Sequence, residues 1–280
     1  MVFKKNNPGC PCCNCPCACY KFDDDATDSM GSKDLTATNA SYSAGKLDKA
    51  ATMSGNTYFK GDDHTCYEVG TEGLAVWFWF KGDTACTSGV GSSTPHIEGV
   101  VTKSIWDIQA GLGNPNLSGE WGVYWHNVVS PGGLDFAGLL YFVAKPTNVA
   151  GGGIDYISIP LGGADWADAI FVSEGFNFYY FWISISENKM YLIVNGGVTQ
   201  EKAAPAGESF TASSGQDLYI GNNLGKAVLG SQAVGAVANR TFHIDNLGFC
   251  KRIGTEAEMT ARAAKLYNSG AGLACNKAGL

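Results

Sequence analysis

Six cysteines crowd the start of the chain: Cys10, Cys12, Cys13, Cys15, Cys17 and Cys19, interleaved with Pro11 and Pro16. The segment holds almost nothing apolar to pack, so these side chains must act through sulfur chemistry. Cys10 with Cys13, and Cys12 with Cys15, have the Cys-x-x-Cys spacing at which thiolates share zinc or another soft metal. The same sulfurs can form disulfides within a subunit or between neighbours. A zinc site favours two well-separated ligand pairs, which this run lacks, so cross-linking is the better reading. Further along, Cys66 and Cys86 flank an apolar stretch and Cys250 and Cys275 flank the last helical stretch; either pair is a possible disulfide, and spacing establishes neither.

Bond-making chemistry finds little support. Glycoside hydrolysis needs two carboxylates facing across the scissile bond, and a Glu-x-Asp-x-x-Glu run, whose Glu-x-Asp alternation would set such carboxylates on one face of a strand, is missing from the chain. So are a Gly-x-Ser-x-Gly elbow, a phosphate loop and a pair of histidines at i and i+4. Recognition chemistry is better represented. Trp121, Tyr124, Trp125 and His126 lie in one dense segment, and Trp166 and Asp168 in a Gly- and Asp-rich stretch. Aromatic faces stack on sugar rings while amides and carboxylates take hydroxyl groups. Packing between sheets is the competing use of such aromatics, and Trp166 in its polar surroundings is the best exception.

These residues must be positioned by elements that the pattern makes legible. Across 280 residues, a hydrophobic fraction of 45% with 12% aromatics supports a sizeable core, and 37 glycines imply many turns between short strands. Runs such as Leu74–Phe80, Trp121–Trp125, Leu139–Val143, Phe178–Ile185, Met190–Val194, Leu218–Ile220 and Thr241–Phe249 recur between Gly, Asn, Asp and Ser clusters. Glu187-Asn188 and Asn195-Gly196 make tight reversals between successive runs. Parallel pairing would need long crossovers, usually helical, so the sheets are expected to be antiparallel. One helix is expected after Thr255-Glu-Ala-Glu258, a capping-box spacing. Met259, Ala263, Leu266 and Tyr267 share its apolar face, with Gly270 as its left-handed stop.

The formal charge of −7 and pI near 5.1 leave no basic field for nucleic acid. No apolar stretch approaches the roughly 18 residues of a membrane span. The start, Met1-Val-Phe-Lys-Lys, runs into Pro8 and Cys10 instead of an apolar secretion signal.

Several segments in order resemble the laminin G-like branch of the concanavalin-like lectin and glucanase superfamily, over roughly residues 20–270. They are Tyr20-Lys-Phe-Asp-Asp24, Gly45-Lys-Leu-Asp-Lys-Ala-Ala-Thr-Met-Ser-Gly55, Leu74–Phe80 with Lys81-Gly-Asp83, and Met190-Tyr-Leu-Ile-Val-Asn-Gly196. Leu218-Tyr-Ile-Gly221 and His243-Ile-Asp-Asn-Leu-Gly-Phe249 through Leu266-Tyr-Asn-Ser-Gly270 complete the set. The resemblance implies an all-β antiparallel sandwich of two curved sheets, a jelly roll over residues 20–280, with the first strand close to the last and residues 1–19 as a separate arm. In many relatives a calcium ion lies where those strands meet; Asp245 holds the matching position, with Asp23 or Asp24 and Asp62 as companions.

Fold alone does not assign function. Disulfides without a secretion signal fit a protein made in the cytosol and released afterwards, since cytosol keeps thiols reduced. The expectation is therefore a non-enzymatic structural or attachment protein of an assembly, a phage virion component, lying on a virion or extracellular particle surface after cytosolic synthesis. Its partners would be other subunits of that assembly. The alternative is a glycan-binding, lectin-like adhesin on a bacterial surface, and a glycosidase stands third.

Overall fold

The computed structural model describes residues 16–31, 33–54, 57–82, 96–107, 116–129, 135–147, 157–160, 175–221, 241–251 and 253–275. Fifteen strands dominate: β1 (Ala18–Tyr20), β2 (Thr36–Thr38), β3 (Ser41–Ala44), β4 (Lys49–Met53), β5 (Tyr58–Gly61), β6 (Leu74–Gly82), β7 (His96–Asp107), β8 (Asn116–Val129), β9 (Asp135–Ala144), β10 (Ile157–Pro160), β11 (Asn177–Ser184), β12 (Lys189–Val194), β13 (Gln200–Ala203), β14 (Leu218–Gly221) and β15 (Phe242–Cys250). They form two sheets. The first runs β13-β12-β11-β6-β15-β4-β3 with β1 also on β15, and the second runs β10-β9-β8-β7-β14-β5-β2. Every pairing among the described residues is antiparallel, as expected.

The first and last strands meet directly. Phe242–Ile244 of β15 pair with β4, while Leu247–Phe249 pair with β1, so two strands share one side of β15 end to end. The boundary expected between residues 19 and 20 thus falls inside β1, and Ala18, Cys19 and Tyr20 are fully buried.

Inward-facing side chains of both sheets make the inter-sheet core. Val76, Phe78 and Phe80 of β6 and Tyr179, Phe181 and Ile183 of β11 face Trp121, Val123 and Trp125 of β8 and Phe142 of β9. Their neighbours in sequence form a second cluster on the opposite face of the first sheet: Trp77 and Trp79 of β6, and Phe178, Tyr180 and Trp182 of β11. Leu74–Phe80 is therefore buried at every position. A sheet covered on one side shows alternating apolar and polar residues; an unbroken apolar run marks one covered on both.

The second cover is α1 (Glu256–Tyr267). The Thr255 side chain accepts the Glu258 N–H while the Glu258 carboxylate accepts the Thr255 N–H, closing the capping box. Met259, Ala263 and Leu266 bury against the outer aromatic cluster, and Tyr267 stacks on Trp79 with centroids 5.9 Å apart. The helix stops two residues before the expected glycine: Asn268, at φ 48°, takes the left-handed cap, and Gly270 lies beyond it. Asn tolerates that conformation well enough to end a helix.

β11, β12 and β13 are consecutive neighbours, as the short reversals demanded. Asn188 has φ 52°, and Asn195-Gly196 has φ 51° and 66°, the signs a type I′ turn needs. Tyr191 on β12 stacks face to face on Trp182 of β11 at 4.6 Å. No helix among the described residues is long and apolar enough to cross a membrane.

Candidate functional site

Asp245 sits at the bulge of β15, buried, where the pairing with β6 shifts between Asp245 and Gly248. Its Oδ2 accepts the backbone N–H groups of Lys46 (2.7 Å) and Leu47 (2.8 Å), and its Oδ1 accepts the Asn246 side-chain amide at 2.5 Å. The loop before β4 can wrap this carboxylate because residue 45 is glycine. A Cβ there would lie 2.5 Å from the Lys49 carbonyl and 2.7 Å from Asp245 Oδ2. Burial outweighs those hydrogen bonds and pushes the Asp245 carboxyl up to about 6.

Of the expected calcium companions, Asp23 lies near enough to Asp245 to repel its charge, but each of the three has other partners or an exposed position. Asp23 accepts the Lys49 N–H at 3.3 Å, Asp24 pairs with the Lys49 ammonium, and Asp62 lies exposed at the end of β5 in the other sheet, 3.9 Å from Lys60. Among the described residues no group of three or more His, Cys, Asp or Glu could hold a metal. Three N–H hydrogens already point at the Asp245 oxygens, where a hard cation would need open lone pairs. The donor set does not suit calcium; it suits a carboxylate cradled by amides that ties the β3–β4 loop to the last strand.

The aromatic candidates on β8 are spent on packing. Trp125 is 1% exposed and meets Phe80 and Phe242 edge-on, at 5.8 and 6.1 Å. Its ring face is closed to a ligand, which corrects the expectation of a sugar-stacking role. Trp121 is fully buried with its indole N–H on the Tyr67 carbonyl at 2.8 Å, and the Tyr124 hydroxyl donates to the Ser104 carbonyl at 2.8 Å. The backbone of His126 pairs with Ile97 and Leu139 in the second sheet. Trp166 and Asp168 lie outside the described residues.

Sulfur pairing also differs from the expectation. Cys17 joins Cys66 and Cys19 joins Cys275, with Cα separations of 5.8 and 5.7 Å. Neither Cys66–Cys86 nor Cys250–Cys275 forms: Cys66 and Cys275 are taken by the two amino-terminal cysteines, and Cys250 is a buried thiol. The reason is tertiary. Insertion of β1 beside β15 places Cys17 against the loop after β5 and Cys19 beneath the segment that follows α1, contacts that chain spacing does not encode. Cys10, Cys12, Cys13, Cys15 and Cys86 lie outside the described residues.

Three features escaped the pattern reading. Lys103 on β7 and Glu120 on β8 are both fully buried, with Nζ and Oε1 3.5 Å apart, and Lys103 also pairs with Asp63. Glu120 further accepts the Val69 N–H (2.9 Å), and the N–H and hydroxyl of Ser214 (both 3.0 Å). It thereby fastens two loops to the second sheet. Burial is the main influence on its carboxyl and raises it above the ordinary glutamate value. The only sequence signal was a charge inside each of two apolar strands. Second, Arg262, on the buried side of α1, is nine-tenths buried and donates Nη1–H to Cys250 Sγ at 3.3 Å. Third, an open groove of ≈ 740 Å³ runs between α1 and the β11–β12 turn, with Glu187, Thr199, Glu256 and Thr260 among its lining residues. Tyr191 donates its hydroxyl to Glu187 at 2.9 Å and fixes one wall.

Taken together, the described residues define a two-sheet antiparallel β-sandwich, covered on one outer face by a helix and closed by two disulfides. No family model matches the chain, and no curated protein matches its sequence. Solved structures do match in fold. The binding domain of Paraclostridial Mosquitocidal Protein 1 superposes with a TM-score of 0.59 over 91% of this chain and 53% of that one, at 12% identity. The botulinum neurotoxin serotype D binding domain gives 0.56 at 10% identity over 90% of this chain and 52% of that one. The botulinum neurotoxin type G receptor binding domain gives 0.55 at 8% over 90% and 51%. The chain spans about half the length of each, and at these identities the likeness is one of fold.

Proposed function

We propose that this chain is a non-enzymatic attachment module, a laminin G-like sandwich that presents a rigid binding surface on a larger assembly, a phage virion in the leading case. The observation that carries this reading is the stapled three-layer body itself. Two buried carboxylates, Asp245 and Glu120, each accept backbone N–H donors and hold loops in place. Groups so satisfied hold their loops in place and give the surface a fixed shape. The fold neighbours are described as binding or receptor-binding domains, which supports the same reading. The cysteine-rich arm at 10–15 would anchor the module to neighbouring subunits, by disulfides or through zinc.

The test is native mass measurement and particle imaging of the full chain under oxidising and reducing conditions. A defined oligomer or particle-bound form that dissociates on reduction supports anchoring by the arm. A monomer in both conditions overturns it. Turnover of any glycan by the purified chain would overturn the non-enzymatic assignment.

A second reading, glycan binding, is favoured by the groove beside α1, whose Glu187 and Glu256 carboxylates and Thr199 and Thr260 hydroxyls can accept and donate to sugar hydroxyls. Retention on a glycan array that Glu187→Ala abolishes would support it; no retention would exclude it.

A further inference from the structure

We propose that Cys250 is an exchange thiol for the Cys19–Cys275 disulfide, so that the bond can pass between two cysteine pairs without any external oxidant. Cys19, Cys250 and Cys275 all belong to one buried cluster on the outer face of the first sheet. In the β1–β15 register Cys19 faces Gly248. Cys250, two residues further along β15, is therefore its diagonal neighbour on the same face, a relationship that separates Cα atoms by about 7–8 Å.

That separation lies just past the range of roughly 4.4–6.8 Å that a disulfide spans. Cys19 and Cys250, each fixed in a strand, are poor partners for one another. Cys275 follows α1, outside the sheets, with its N–H on the Asn246 side-chain oxygen at 3.1 Å, and the exchange requires its Sγ to turn from Cys19 towards Cys250. The third component is Arg262, which donates Nη1–H to Cys250 Sγ at 3.3 Å from a buried position on α1. A guanidinium on a sulfur favours the thiolate, the attacking form. The thiol hydrogen meanwhile faces the Lys251 carbonyl at 2.9 Å.

The step balances internally. The Cys250 thiolate attacks Cys275 Sγ, the Cys250–Cys275 bond forms, and the Cys19–Cys275 bond breaks. The electron pair leaves with Cys19 Sγ, which takes up the proton that Cys250 lost. Cys250 is oxidised as Cys19 is reduced, so the exchange needs no external oxidant or reductant. The consequence is positional: β1 is released from the segment after α1 and remains tied to the body through Cys17–Cys66. Cys19 becomes a thiol able to exchange with another thiol or disulfide. This inference does not depend on the attachment role.

The test holds the full-length, non-reduced chain at pH 8, quenches samples in acid at intervals, unfolds them in the presence of N-ethylmaleimide because Cys19 and Cys250 are buried, and maps labels and disulfides by mass spectrometry. Two populations are expected: Cys19–Cys275 with labelled Cys250, and Cys250–Cys275 with labelled Cys19. Arg262→Met should slow the appearance of labelled Cys19 several-fold. Labelled Cys250 with no labelled Cys19 at any time overturns the proposal, as does labelling of neither after prolonged incubation. Cys19→Ser gives an independent reading. Oxidative refolding of this variant should yield a Cys250–Cys275 disulfide, and recovery of both residues as thiols would overturn the proposal.

Discussion

Asp245 and Leu47 lie 198 residues apart in sequence, yet the Leu47 N–H donates to Asp245 Oδ2 at 2.8 Å, so a loop from the start of the sandwich is clipped onto its last strand. The carboxyl that makes this clip is held up at about 6 by burial, with Asp23 adding a smaller repulsion. In the unfolded chain the same group titrates near 3.8.

The sign of the pH dependence follows. A carboxyl raised on folding contributes stability that is complete below about pH 4 and is lost as pH rises through about 6, because the unfolded chain ionises first. The span corresponds to roughly 3 kcal/mol, at about 1.4 kcal/mol per pKa unit. Asp245→Asn removes this titration. The difference in unfolding free energy between the parent and this variant should shift against the parent by a figure of that order between pH 4 and 7, as urea titrations at several pH values would read. A difference that stays flat across that range would show that the carboxyl does not titrate there.

Gly248 lies flat against the Trp77 indole. A Cβ at that position would sit 2.3 Å from two ring carbons, and Trp77 is itself stacked on Tyr180 at 5.8 Å. The ring has nowhere to retreat. Gly248→Ala should destabilise by about 1–3 kcal/mol, the usual cost of overpacking. Tryptophan emission should shift red in the same variant.

The helix protects the aromatic face of the first sheet through Met259, Ala263 and Leu266. Leu266→Ala should cost about 2–5 kcal/mol, as truncations of buried leucine do. Because the surface beneath is aromatic, the loss should come with increased binding of a hydrophobic dye below the main unfolding transition. The surface-facing Thr255→Ala, which removes only the cap, should cost about 1 kcal/mol with no gain in dye binding.

Cys17–Cys66 closes a loop across a sequence separation of 49 residues. Cys66→Ser should lower stability by about 4 kcal/mol on the chain-entropy account. Unfolding by urea without reductant, compared with the parent, would measure it. The same comparison in the presence of reductant should bring the two proteins together.

Much of the body was legible in the residues themselves. Alternation, turn residues and the capping box placed β6, β11, β12, β14, β15 and α1 close to where they occur, since each depends on periods of two or 3.6 residues and on local turn chemistry. The uninterrupted apolar run at Leu74–Phe80 even carried the mark of a sheet covered on both faces. Asp245 drew the reading of a calcium ligand, and in the structure its oxygens accept amide N–H groups.

Tertiary placement decided the rest. Whether Trp125 faces a ligand or Phe80 depends on which side of the second sheet meets the first, and both choices leave the same alternation in the sequence. Cys19 pairs with Cys275 at a sequence separation of 256, and the buried Lys103–Glu120 pair forms because two bulged strands lie side by side. Periodicity is a local property of the backbone, fixed by a few neighbouring dihedrals. Which distant side chains meet is fixed only once the sheets stack and the remaining space is shared out among them.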